Sequence, residues 1–397
     1  MAARAAALRG FSTLILERNP RCAKKLLITG KGRCNVTNAA GREEMFSNIV
    51  TNPRFLYSAL SRFGAEDIRA LLSDAGVPTK VERGGRVFPE SDSSFDVAQA
   101  LEHSAREAGV KIRNSARVHG IQTSDGAVRA VELSDGQTLV CRCAILCTGG
   151  MSYPLTGSTG DGYRMARALG HTVTPLRPAL VPIVLKDPYI PRLEGVSLRN
   201  VRLRLRRGGK TVFDELGELV FTHDGVSGPL ALSASSLMTG DPAGYELTLD
   251  LKPGLDEDKL DKRLLRDFEA YSNKQFKNAL GDLLLKKLIP VFIELSGIDP
   301  LRPVHQISRP ERARLSALLK GWTLRPARLG DMDEAIVTAG GVSVKEVDPA
   351  TMESKIVRNL HFAGEILDVD ALTGGYNLTI AFSTGHAAGT HCLMQEG

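Results

Sequence analysis

Four short segments concentrate Gly, Asn, Thr and Arg in a chain otherwise rich in apolar residues. They are Leu26 to Asn38 (LLITGKGRCNVTN), Thr148 to Gly162 (TGGMSYPLTGSTGDG), Leu219 to Pro229 (LVFTHDGVSGP) and Phe362 to Thr379 (FAGEILDVDALTGGYNLT). Glycine lets the backbone approach a ligand closely, and a helix that starts just after it offers free N–H groups to phosphate or carbonyl oxygens. One such segment alone reads as a turn, which Gly, Asn and Asp favour anyway. Four of them suit a large, polar, flat cofactor. His223 and Asp224, in the third segment, are candidates for substrate contact or proton transfer, with Tyr153 and Arg33 secondary. A hydrogen-bonded turn histidine and an ordinary turn aspartate are the competing readings.

Other chemistries lack their motifs. Gly30-Lys31-Gly32-Arg33-Cys34 does not have the G-x-x-x-x-G-K-[ST] spacing of a P-loop, and the chain has no H-E-x-x-H, no G-x-S-x-G elbow and no RNA-recognition aromatic motif. Six cysteines are too sparse for a disulfide scaffold. Three of them, Cys141, Cys143 and Cys147, follow a β-branched, apolar run, and strand geometry lines them up along a face rather than around an ion. They are expected in the core, and no metal site is expected.

The elements that must position these segments follow from periodicity. Met1 to Arg9 reads as an Ala-rich helix ended by Gly10, and Thr13 to Leu16 as a short strand finishing in Glu17. In a dinucleotide-binding βαβ unit an acid lies about twenty residues beyond the glycine turn, so Glu17 as that acid would place the turn just before Met1. An ordinary strand-end surface acid is the alternative. Phe55 to Leu72 and Asp96 to Ala108 carry helical periodicity, and Val110 to Val140 reads as a three-stranded meander. Cys143 to Leu146 is a buried strand running into Thr148-Gly149-Gly150, and Tyr163 to Leu169 a helix. Alternating strands follow from Val181 to Leu251, then helix formers to about Leu319, and the glycine-rich style returns past Asp331.

Length and charge set the outer bounds. The chain has 397 residues, enough for two or three domains at about 150 each, and 43% hydrophobic against 24% charged residues argues for a folded globular protein. Net charge is +6, which suits anionic ligands without demanding a polyanion. No window approaches eighteen uninterrupted apolar residues and the start lacks a secretory signal, so a cytoplasmic protein that does not enter the membrane is expected.

The strings GKGRCNVTN, GRVFPESDSSFDV, TGGMSYPLTGSTGDGY, GELVFTHDGVSGP, TAGGVSVKEVDPATMESK and FAGEILDVDALTGGYN closely resemble the BaiN/YhiN-like family of FAD-binding flavoproteins, in order and over nearly the whole chain. The resemblance implies an α/β fold. An FAD-binding, Rossmann-like domain of the two-dinucleotide-binding type would comprise residues 1–182 and 338–397. Residues 183–337 would form a β-barrel-like insertion with a helical part at about 253–320. Family members normally begin with a strand and a GGGAAG-like turn, which this chain lacks. An upstream start or a shortened chain is therefore expected, with weaker FAD binding and unpaired strand edges. Lys31, where the family usually has a small residue, is a further departure.

By position, the resemblance assigns Glu17 to the adenosine ribose and the backbone near Val118 to adenine. It sets Gly32, Arg33, Cys34, Asn35 and Thr37 near the pyrophosphate or flavin, Thr148 and Gly149 at a second close approach, and Gly364, Glu365 and Asp368 at the ribityl and pyrophosphate part. Gly374, Gly375, Tyr376 and Asn377 would open the last helix at the flavin N1 and O2 edge. The implied activity is that of an FAD-dependent oxidoreductase on a small organic substrate held between flavin and insertion. NAD(P)H is a candidate electron donor, although no second complete G-x-G-x-x-G is present. A rival reading is an RNA-binding or RNA-modifying flavoprotein, drawn from Arg202, Arg204 and Arg206, which alternate with apolar residues and so project from one strand face; a solvated outer face is its bland counterpart. A non-redox remnant that binds FAD poorly is the third.

Overall fold

A computed structural model describes residues 1–393. The chain divides into two compact units, one comprising Met1–Ala179 together with the chain from Met332 onward, the other Leu180–Asp331. No helix among the described residues is long and apolar enough to cross a membrane.

The first unit is α/β. Its Rossmann-type strands form two parallel pairs, Leu14–Leu16 with Lys111–Arg113 and Ala144–Leu146 with Leu360–Phe362, and no ladder joins the pairs among the described residues. The apolar last helix, Tyr376–His391, is buried at ten positions. Its Gly389 lets the first helix, Ala2–Leu8, lie against it, since a Cβ there would come within 2.0 Å of the Ala2 carbonyl oxygen. The helical stretch expected from Phe55 to Leu72 is broken. Tyr57–Arg62 ends at Phe63, and Ala65–Asp74 begins after Gly64, whose backbone N–H donates to Asp67. The region from Val110 to Val140 also differs from expectation, because Lys111–Arg113 leaves to pair with Leu14–Leu16. The antiparallel meander is Val118–Ser124, Ala127–Leu133 and Thr138–Val140.

Only Cys34 and Cys392 are buried cysteines; Cys141 and Cys143 are half-buried and Cys147 is exposed, which corrects the core reading of that trio. The regular strand there is only Ala144–Leu146, so Cys141 precedes it, Cys147 follows it, and neither shares its packed face. No group of three or more potential metal ligands occurs among the described residues.

The second unit holds a seven-stranded antiparallel sheet whose spine is the long hairpin Ser197–Arg207 and Lys210–Phe221. The strands at its two ends, Trp322–Leu324 and Pro326–Leu329, are separated in sequence by Arg325 alone, so the sheet curls until its edges meet. Buried Asp187 fixes that corner, accepting from the Arg325 backbone N–H at 2.8 Å and from its guanidinium at 2.9 Å. Helices Glu257–Ala270, Leu288–Ser296 and Arg309–Lys320 pack with the sheet in one apolar core. Trp322 sits inside it, against Phe221, Phe292 and Tyr189, and its indole N–H is satisfied by the Tyr189 hydroxyl at 3.1 Å.

Candidate functional site

The last helix of the first unit opens on Gly374 (φ 134°) and Gly375 (φ 100°), and no side chain caps it. A Cβ on Gly375 would stand 2.3 Å from the Thr37 carbonyl oxygen, so only glycine lets the helix start pass over the Asn35–Asn38 segment. Side chains brace both sides. Asn38 Nδ2 donates to the Gly374 carbonyl at 2.8 Å, Thr37 and Thr379 hydroxyls lie 2.7 Å apart, and the Asn377 amide binds both the N–H and the C=O of Ala371. The first-turn N–H groups of a helix have no intrahelical acceptor and carry partial positive charge. Beside this start lies Asn35 Oδ1, buried and without a hydrogen-bond partner.

A second cradle is built from Thr148, Gly149 and Gly150. Thr148 Oγ1 is also buried without a partner, and Gly162 leaves room for it, since a Cβ at that glycine would fall 1.9 Å from the hydroxyl. Glu365 ties this turn down. Its carboxylate accepts from the Thr338 N–H at 2.8 Å and the Ser152 hydroxyl at 3.1 Å, and pairs with the Lys25 ammonium at 2.6 Å. Lys25 also donates to Ser152 Oγ at 2.7 Å, and the Tyr163 hydroxyl donates to the Glu365 carbonyl. Gly364 (φ 77°) donates its N–H to Thr384 Oγ1 at 2.9 Å, which anchors the Glu365 segment to the last helix.

At the end of strand Leu14–Leu16, Glu17 Oε1 accepts from the backbone N–H and the side-chain amide of Asn19, so the acid caps its own turn. The Ala116 N–H donates to the Glu17 carbonyl, which brings Arg117 and Val118 to the same strand end. Arg18, Arg117 and Arg164 converge on Asp161 at 3.1, 2.9 and 3.1 Å. Burial works against that carboxylate, yet the arginines, Arg117 first, hold it below the usual range.

Arg33 stacks over Phe88 at 4.2 Å and its guanidinium is shared by Glu82 and Asp92, so its side chain is engaged by two carboxylates. Gly32 is open to solvent beside it. Cys34, left-handed at φ 60° and fully buried, has its thiol pushed up to about 11 by burial. Asp368 is half-buried and its carboxyl is raised by burial. Tyr153 is half-buried and left-handed, and its carbonyl accepts from Thr156. His223 and Asp224 belong to the second unit, on the exposed turn between Lys210–Phe221 and Gly225–Ser227. His223 Nδ1 lies 3.2 Å from Glu194, and Asp224 accepts from Thr222 and lies 3.8 Å from Arg328. The first unit thus brings together Asn35, Thr37 and Gly374 to Asn377, and separately Thr148, Gly149 and Glu365. Lys25, Ser152, Asn38 and Thr338 complete these cradles and were not among the expected site residues. Lys25 reads as a surface cation in CAKKLL, and only its ion pair shows otherwise.

The donor and acceptor set fits FAD. Two glycine-lined cradles, an uncapped helix start, two unmatched buried polar atoms and a strand-end acid are what a long dinucleotide with a polar ring requires.

Comparison with known proteins agrees. The HI0933-like protein Rossmann domain matches residues 1–391. The chain is 32% identical over 378 residues to a 3-dehydro-bile acid delta(4,6)-reductase of Clostridium scindens, covering 94% of this chain and 91% of that one. It is 31% identical over 381 residues to a ribosomal RNA dihydrouridine synthase of Escherichia coli, covering 95% and 91%. Escherichia coli quinol fumarate reductase shares the fold, with a TM-score of 0.50 and 16% identity over 98% of this chain and 68% of that one. The chain belongs to the HI0933-like Rossmann family, the group of FAD-dependent oxidoreductases that its glycine-rich strings resemble.

Proposed function

We propose that this FAD-dependent oxidoreductase saturates a carbon–carbon double bond conjugated to a carbonyl. One observation carries the reading. A 3-dehydro-bile acid delta(4,6)-reductase and a dihydrouridine synthase act on unlike molecules, yet the bond type in both names is a ring C=C in conjugation with C=O. Bound FAD would supply hydride transfer. The residues of the chain hold, orient and protonate. In this reading the start of Tyr376–His391 and Asn35 hold the polar edge of the ring, Thr148 and Gly149 admit the dinucleotide, and Glu17 meets the ribose. Hydride added to the β-carbon leaves negative charge on the carbonyl side, and a proton must reach the α-carbon. Tyr153, His223 and Asp224 are the groups proposed to deliver it. The electron donor is NAD(P)H, and the setting is cytoplasmic, a reading supported by six free cysteines.

The test is anaerobic incubation of the FAD-supplemented chain with NADH or NADPH and either a 3-oxo-4-ene steroid or uridine, followed by mass spectrometry. A product heavier by two hydrogens, with matching nicotinamide oxidation, is expected. Nicotinamide oxidation without any saturated product would overturn the reading.

A second reading, in which the reducible ring is a base within RNA, rests on two relatives named ribosomal RNA dihydrouridine synthase, at 31% and 30% identity. Arg202 and Arg204, expected to give that reading its local feature, are both engaged by Asp214 across the hairpin, at 3.3 and 3.0 Å.

A further inference from the structure

The long hairpin of the second unit changes character along its length. At its middle, Arg202 and Arg204 share Asp214. At its tip, Arg206, Arg207 and Lys210 flank the left-handed pair Gly208 (φ 53°) and Gly209 (φ 78°), all five residues are exposed, and none of the three cations forms an ion pair among the described residues.

Arg207 is nevertheless held in place. Its guanidinium lies 5.1 Å from the centre of the Tyr245 ring and donates to the Thr239 carbonyl at 3.1 Å and to the Tyr245 hydroxyl at 3.3 Å. Those partners are neutral, so they fix its position while leaving its charge uncompensated. Beside it, Arg206, Gly208, Gly209, Tyr245 and Glu246 line an open depression of about 350 Å³. Glu246, opposite Arg206 in the strand register, is the carboxylate facing this group, against three cations.

We propose that the hairpin tip, Arg206, Arg207 and Lys210 around Gly208 and Gly209, is a docking surface for the sugar–phosphate backbone of an RNA. The inference rests on the double-bond reduction reading and narrows its substrate to a ring presented within a polynucleotide. Charge complementarity selects the occupant. Clustered cations without carboxylate partners release counterions when they neutralise phosphates, and two guanidinium forks match phosphate oxygens better than two ammonium groups would. Insertion into a lipid surface needs a broad apolar face, and next to the tip Val212 is a single exposed large apolar residue. An acidic protein partner would gain from the same charges, and absence of RNA binding by the native chain would favour it instead.

The experiment measures fluorescence anisotropy of a labelled stem–loop RNA titrated with the full FAD-supplemented chain between about 50 and 200 mM salt. Three forms are compared: the native chain, the triple variant Arg206→Ala, Arg207→Ala, Lys210→Ala, and the double variant Arg202→Gln, Arg204→Gln. Expected is salt-dependent binding by the native chain, with the log–log salt slope reduced by about 2–3 in the triple variant, one phosphate contact per cation. The double variant should lose less of the slope than the triple variant, because its two arginines share the Asp214 carboxylate. A fourth form, Arg206→Lys with Arg207→Lys, keeps the charge and should retain most of the slope, which covers the case in which the triple variant melts early. Absence of RNA binding by the native chain at low salt, an unchanged slope in the triple variant, or an equal loss in the double variant would each overturn the proposal. Saturation of free uridine or of the steroid by the triple variant at the native rate would leave the reductase reading standing while docking fails.

Discussion

The Lys25 ammonium lies 2.6 Å from the Glu365 carboxylate, joining residues 340 positions apart in the sequence. The same carboxylate also receives the Thr338 N–H and the Ser152 hydroxyl, so one side chain fixes the Thr148–Gly150 turn, the strand Val337–Ala339 and the segment that leads into Cys34 and Asn35. Both partners are only partly exposed, at 26% and 19%, so the pair is worth more than a surface ion pair and less than a fully buried one. Lys25→Met should lower stability by about 1–2 kcal/mol and weaken FAD binding. Thermal melting with a flavin fluorescence titration measures both, and an unchanged flavin affinity would remove the clamp from the cofactor site.

Gly375 tests the helix cradle. Gly375→Ala must place a Cβ against the Thr37 carbonyl at a φ of 100°, and a cost of about 2 kcal/mol or more is expected, together with loss of flavin retention. Gly76→Ala has a similarly positive φ of 79° but open space around it, and should cost only about 1 kcal/mol with flavin kept. Flavin content per chain after gel filtration distinguishes them.

Asp370 is almost fully buried and neither carboxylate oxygen has a hydrogen-bond partner. Burial pushes its carboxyl above the usual range against the pull of nearby Thr51 and of Arg177. A carboxyl raised in the folded state contributes stability below its unfolded value of about 3.8 and loses it as pH rises through the folded value. Asp370→Asn should therefore melt higher than the native chain at neutral pH, with the difference vanishing below about pH 4. Melting curves across pH check this, and a constant difference would show that the carboxyl does not titrate as described.

His171 has Nδ1 3.2 Å from Glu346 and Nε2 2.8 Å from the Ser354 hydroxyl, the outline of a hydrolytic triad. Ser354 Oγ is spent as a turn cap, because it accepts the N–H groups of Ile356 at 3.0 Å and Val357 at 2.8 Å. Burial lowers His171 despite Glu346, and burial lowers His361 and His386 likewise. The unfolded chain then takes up protons near pH 6.5 that the folded chain refuses, so stability should fall as pH drops through 6.5. Urea titrations at stepwise pH give the slope, which His171→Gln should make shallower. Ser354→Ala should destabilise by about 1–3 kcal/mol through the orphaned N–H groups, and the native chain should not be labelled at Ser354 by a fluorophosphonate.

Local sequence carried a good deal. The strand ending in Glu17 and the strand before Thr148 follow from hydrophobic period and glycine punctuation, both properties of neighbouring residues, whereas the helix after Gly375 came from the family resemblance. The sequence also marked the four glycine-rich segments, because a backbone that must approach something closely needs glycine at that position whatever the rest of the chain does.

Tertiary structure decided which polar groups are already spoken for. Arg33 and Arg204 look alike in sequence to cations free for phosphate, yet Glu82 and Asp92, 49 and 59 residues on, take up the first and Asp214, across the hairpin, the second. Lys25 looks like a surface residue and becomes a clamp, while Asn35 and Thr148 are left unmatched only because distant segments bury them. Residue type and spacing set what a segment can do. Burial and partners, which depend on contacts hundreds of residues apart, set whether its polar atoms remain available to a ligand.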